Sequence, residues 1–151
     1  MRRIATTVAV VVLIAAGGIS ARASSPDAGG RTIALVQREP DQAFDDLDEN
    51  GIPSPGDILV FRSALFDPTD TNQIGDLHIQ CVVNFGGRAV CVGIFTLTGR
   101  GQLAVDALPA FPNAVTGIVT GGNGEFQRAR GEADIEPRSD GTTAITFHLF
   151  G

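Results

Sequence analysis

The chain has 151 residues, 43% of them hydrophobic and 19% charged, with a net charge of −6. All 11 basic residues are arginine, and Lys, Tyr and Trp are absent, which excludes lysine Schiff bases, a P-loop lysine, a Ser-Lys nucleophile pair and a tyrosine general acid. The length supports one domain, and the acidic balance argues against nucleic acid, because a phosphate backbone is held by a basic surface.

Residues 1–23 read as a secretory signal peptide. Met1-Arg2-Arg3 gives a positive start, Ile4 to Ile19 is mostly Ala, Val, Leu and Ile, and Ala21-Arg22-Ala23 places small residues where the peptide is cut. The apolar run is shorter than the roughly 20 residues a membrane anchor needs. Cleavage after Ala23 removes Arg2, Arg3 and Arg22 but no acid, so the net charge moves from −6 to −9. That favours solubility and disfavours anionic membranes. Ser24 to Gly30 (SSPDAGG) is a small polar stretch that reads as a flexible linker.

From Arg31 the hydrophobic period is two. Strands are expected over Thr32–Gln37, Asp57–Phe66, Ile74–Phe85, Arg88–Thr98, Gln102–Ala107, Asn113–Thr120, Ala129–Glu136 and Thr142–Phe150. Short Gly, Pro and Asn turns separate them. Gln37 to Pro55 is the one long connection, with room for a helical turn over Asp41–Leu47. Eight such strands predict an all-β fold, an antiparallel sandwich or a closed barrel over 31–151. Closure removes the exposed edges that would pair with other chains. Strand 88–98 is apolar on both faces, so one face lines the interior and the other meets a loop, a helix or another subunit, an argument for an oligomer.

Cys81 and Cys91 flank the hairpin at Gly86-Gly87. A loop with an odd number of residues sets them directly opposite, in reach of a cross-strand disulfide. An even, two-residue turn points the thiols to opposite faces and leaves them free. Export to an oxidising compartment favours the disulfide. Two cysteines and two distant histidines lack the spacing of a metal site.

Asp46-Leu-Asp48-Glu-Asn50-Gly51 matches the opening of an EF-hand calcium loop, with Asp57 where that loop wants Glu. Pro53, Pro55 and the missing flanking helices favour a plain acidic connection instead. Thr120-Gly-Gly-Asn-Gly124 lacks the lysine and helix of a phosphate cradle and reads as a tight turn with positive φ at Gly or Asn. His78 and His148 lie in strands on the more polar alternation, and Asp76, Asp106 or Asp134 would complete an acid–base pair with either. No cofactor is implied.

Several stretches resemble the allene oxide cyclase and dirigent superfamily: Gly56-Asp-Ile-Leu-Val-Phe61, Leu65-Phe66-Asp67, Ile74-Gly75, Val119-Thr-Gly-Gly-Asn-Gly-Glu-Phe126, Ala129-Arg-Gly-Glu132 and Ile145-Thr-Phe-His-Leu149. The likeness runs from about Arg31 to Gly151 and is most marked to bacterial, secreted proteins with an allene-oxide-cyclase-like barrel. Those also resemble this chain in the entry to strand two, Gly51 to Asp57, and in a cysteine pair placed like Cys81 and Cys91. The resemblance implies an eight-stranded antiparallel barrel with a central cavity, often trimeric.

Plant allene oxide cyclases set a first-strand carboxylate, a tyrosine, an asparagine and a cysteine around an epoxide. Of these the cysteine carries over, at Cys81. The asparagine position reads Ser63, the tyrosine has no counterpart, and Gln37 or Glu39 stands where the carboxylate does. Dirigent proteins place an Asp after the strand-two phenylalanine and an Arg after the strand-three glycine, positions that read Arg62 and Asp76 here. Neither plant activity is implied.

The sequence thus points to a secreted barrel that binds a hydrophobic small molecule in contact with Gln37, Ser63 and Cys81. It would steer a cyclisation or isomerisation by cavity shape, with Glu39 as the candidate acid–base group, since burial raises a carboxylate's pKa. The alternatives are a non-catalytic carrier and a structural barrel filled by its own side chains.

Overall fold

The computed structural model describes residues 30–110 and 113–150, apart from the side chain of Glu39. The signal peptide expected over 1–23 and most of the linker expected over 24–30 lie outside the described residues. Eight strands form: β1 (Arg31–Asp45), β2 (Ile58–Phe66), β3 (Gln73–Asn84), β4 (Arg88–Leu97), β5 (Gly101–Ala107), β6 (Val115–Gly122), β7 (Arg130–Pro137) and β8 (Thr143–Phe150). Each pairs antiparallel with the next, and β8 closes on β1 to complete a barrel. A 3-10 turn, Gly124–Phe126, interrupts the meander.

β1 corrects the sequence reading. It runs on to Asp45, so Asp41–Leu47 forms no helical turn and the long connection shrinks to residues 46–57. A β-bulge between Arg38 and Asp41 makes this possible. Pro40 has no N–H for the ladder, and one extra residue there lets the strand continue in shifted register. The shift also exchanges faces. Gln37 lies opposite Leu65, whereas beyond the bulge Gln42 lies opposite Phe61.

Inside the barrel, one half is filled. Leu35, Leu65, Leu77, Leu103, Ile145 and Phe147 are buried in one cluster, each contributing about 1.5–3 kcal/mol by leaving water. The rings of Phe95 and Phe147 meet edge to face with centroids 5.0 Å apart, the geometry their quadrupoles favour. Phe126 plugs that end from the 3-10 turn. The Arg31 and Arg100 guanidinia lie 5.2 and 5.3 Å from its ring centroid. Both also pair with Glu125, and the Arg100 hydrogen bond foremost holds the Glu125 carboxyl below its ordinary range.

The Gly-rich run before Phe126 serves this plug. Gly124, not Asn123, takes the positive φ, at +58°, and a Cβ there would stand 2.6 Å from the Arg100 carbonyl oxygen. Only glycine lets the cap lie this close to the turn between β4 and β5.

A candidate ligand cavity at the open end of the barrel

At the other end the barrel is hollow. A cavity of about 240 Å³ opens among the ends of β1, β5, β7 and the strands between them. Its floor is the top of the filled half: Phe95 and Val105 belong to both the core and the lining, and Ile79 and Ile135 pack against the same cluster. Room exists because small residues face inward here. Gly93 and Ala107 stand where Phe95 and Leu103 stand a step or two deeper in the same strands. Three prolines, Pro40, Pro109 and Pro137, frame the opening.

Cys81 and Cys91 form a disulfide, with Cα atoms 4.0 Å apart, and both line the cavity. The turn at residues 85–87 is odd, so Asn84 pairs with Arg88 and Cys81 falls opposite Cys91. The close Cα distance marks a narrow antiparallel pair, the position that a cross-strand bridge uses. The bridge ties β3 to β4 across the cavity wall. It is consistent with an oxidising, extracellular setting.

Polar groups in the lining are few. Gln37 reaches the cavity, and its Nε2 donates to the Ser63 Oγ at 2.9 Å. Ser63 is buried beneath it, 3% exposed, so it meets the cavity through Gln37 instead of lining it. Thr143 and Asn113 add a hydroxyl and an amide. Among the described lining residues none carries an ionisable group, the cysteines being bridged. The backbone of Glu39 lies in β1 between Gln37 and Pro40, while its side chain lies outside what is described.

The histidines are elsewhere. His78 and His148 are exposed on the outer face, with Nε2 3.4 Å from an Asp76 oxygen and 3.2 Å from an Asp134 oxygen. Two of the acid–base pairs drawn from sequence therefore exist as contacts, but outside the barrel. Register explains it: inward positions on β3 and β8 are odd-numbered, like Leu77 and Phe147, so even-numbered histidines point out.

The acidic loop brings Asp46, Asp48 and Asp57 oxygens within 4.8 Å of one another. Those carboxylates bind their own backbone. Asp57 accepts from the Leu47 and Ser54 amides at 3.0 and 2.7 Å, and Asp46 accepts from the Gly51 amide at 2.6 Å. The Ser54 hydroxyl donates to Asp48 at 2.9 Å and is the main cause of its lowered pKa. The acids of the EF-hand-like stretch thus hold the loop's own fold together.

Next to the cavity lies a second space, a vestibule of about 440 Å³, lined by Gln42, Pro53, Leu59 and Phe61 from one side and by Val83 and the start of β4 from the other. Phe61 borders both spaces. Sequence reasoning missed Gly93, Thr143 and Phe61 as lining residues. A usable signal was present at Gly93, a glycine at an inward position of an otherwise bulky strand.

No family model and no curated protein matches the sequence. Solved structures do match in shape. A pyocyanin demethylase superposes with a TM-score of 0.68 at 23% identity, covering 79% of this chain and 99% of its own. Two pterocarpan synthase dirigent proteins superpose with TM-scores of 0.60 and 0.61 at 13% and 12% identity. Each covers 80% of this chain, and 86% and 93% of its own length respectively. The chain thus has the barrel fold of the allene oxide cyclase and dirigent proteins.

Proposed function

We propose that this protein is exported and binds one hydrophobic small molecule in the open end of its barrel. The observation that carries the reading is the 240 Å³ cavity, lined almost wholly by carbon and closed below by a packed floor. An apolar cavity of about 150 Å³ holds a benzene ring, so this one suits a body of about two fused rings. The names of the structural neighbours, a demethylase of pyocyanin and synthases of pterocarpans, join this fold to chemistry on small organic molecules and support the reading.

Shape is what the cavity offers such a guest. It positions a reactive molecule and excludes water, the means by which a barrel steers a cyclisation or isomerisation without a strong acid or base. The lack of an ionisable group among the described lining residues equally favours a second reading, a carrier that holds its ligand unchanged. Glu39, two residues after Thr143's partner Gln37, remains the proposed acid–base group for the catalytic form. A homotrimer is proposed as well, since Val60, Val82, Val90, Val92, Ile94 and Ile118 leave apolar surface exposed on the outside of the sheet.

Binding is tested with N-phenyl-1-naphthylamine, whose emission rises in apolar surroundings. With no Trp or Tyr in the chain, the protein adds almost no fluorescence of its own. Saturable enhancement at one equivalent per chain is expected, together with a small organic adduct and a trimeric mass in native mass spectrometry of protein taken from its source. A flat titration and an adduct-free species would leave the barrel a structural module.

A further inference from the structure

Two spaces meet at the mouth, and they differ in one respect that the ligand must answer. The barrel cavity holds no described charge, while the vestibule is lined by Arg88 and by no carboxylate. Arg88 starts β4, directly after the hairpin that carries Phe85 to Gly87. Its Nη1 donates to the Leu108 carbonyl at 3.3 Å, and Leu108 precedes Pro109 in the rim of the barrel cavity. The guanidinium of this exposed residue is thus bonded next to a rim residue of the barrel cavity, while Arg88 itself lines the vestibule. Arg31, Arg38 and Arg100 each have a carboxylate partner. Arg88 has, among the described residues, only that one long bond to a neutral oxygen.

An acidic protein repels anions in general, so a cation left beside an apolar cavity matters more for an anionic guest than for a neutral one. A guanidinium also presents paired N–H donors in the fork that a carboxylate accepts. From this we infer that the ligand is an amphipathic anion: a one- or two-ring apolar body seated on Phe95 and Ile79, and an acidic group held by Arg88 at the rim past Phe61. The inference rests on the proposed cavity reading and specifies its ligand class.

The test uses the disulfide-intact protein and the same neutral reporter, displaced by a series of naphthylalkanoic acids of increasing chain length and by their primary amides. Acid and amide share rings and length, so their ratio isolates the charge. One acid of the series is expected to compete about fivefold better than its amide, the scale of one solvent-accessible ion pair, with the preference fading as salt is raised. Arg88→Gln should bring the ratio close to one, and Arg88→Lys should keep part of it. A folding defect would weaken acid and amide alike and so leave the ratio standing.

If acid and amide compete equally in the wild type at every length, or if the preference survives Arg88→Gln, the anionic ligand is ruled out while the cavity reading stands. If the reporter itself does not bind, the cavity reading fails and takes this inference with it.

Discussion

The two ends of this barrel are built from the same eight strands and put to opposite uses. At the closed end, bulky side chains fill the interior: Leu77, Phe95 and Leu97 from two neighbouring strands pack in one cluster with Phe147, and Phe126 seals the stack. At the open end, the same strands turn to Gly93, Ala107 and a disulfide, and the wall is held covalently where it is not held by packing. A filled end supplies stability and a floor. A hollow end gives up packing contacts, each lost methylene costing dispersion and transfer energy, and gains a place for a guest.

Truncation should separate the ends most sharply. Phe147→Ala removes a fully buried ring and should cost about 3–5 kcal/mol, read by chemical denaturation followed through far-ultraviolet circular dichroism. Phe61→Ala, at the half-buried border of cavity and vestibule, should cost less than half as much. Equal losses would mean that the open end is packed as firmly as the closed one, and the contrast would collapse.

Next in size is the disulfide. Cys81 and Cys91 are 10 residues apart, and closing so short a loop in the unfolded chain stabilises by about 2–3 kcal/mol in the chain-entropy account. The double variant Cys81→Ala with Cys91→Ala should lose that amount and remain a barrel, since the floor beneath is packed independently. Thiol alkylation without reductant should label neither cysteine in the parent protein. A double variant as stable as the parent would show that the open end does not depend on its staple.

Much of this division was legible in the chain, and the reason differs between parts. The strands were visible because alternation along Leu77, Ile79 and Cys81 survives burial of only one face. The cysteine pairing was legible once the loop after Asn84 held an odd number of residues. β1 was misread because Pro40 argues against a strand interior, and only the paired register with β2 reveals that a bulge absorbs it. The cavity itself was not legible. Gly93 was a hint, a residue without a side chain at an inward position of β4, but whether such a gap stays a void depends on what seven other strands place opposite. The histidines show the same limit, since their outward direction follows from register and not from their chemistry.

The smallest expected effect is the most discriminating one. Gly93 lines the cavity, and a Cβ built there would meet Phe95 Cε2 at 3.4 Å, Ile79 Cγ1 at 3.6 Å and Leu77 Cδ1 at 3.7 Å. These are ordinary contacts, so Gly93→Ala adds a methyl to the cavity wall without a clash. The unfolded chain loses freedom as well, and the two effects together should raise stability by about 0.4–1 kcal/mol. The same methyl takes up space that a guest would occupy, so the naphthylamine reporter should bind more weakly. Stability and binding then move in opposite directions. At Gly131 in the closed half, a Cβ would lie 1.9 Å from the His148 carbonyl oxygen, and the same substitution can only disrupt. Thermal unfolding and reporter titration of Gly93→Ala therefore decide what the hollow is for. Stability gained with binding lost identifies a site kept open at the expense of packing, whereas stability gained with binding unchanged would place the reporter outside the barrel and remove the ground for a cavity ligand.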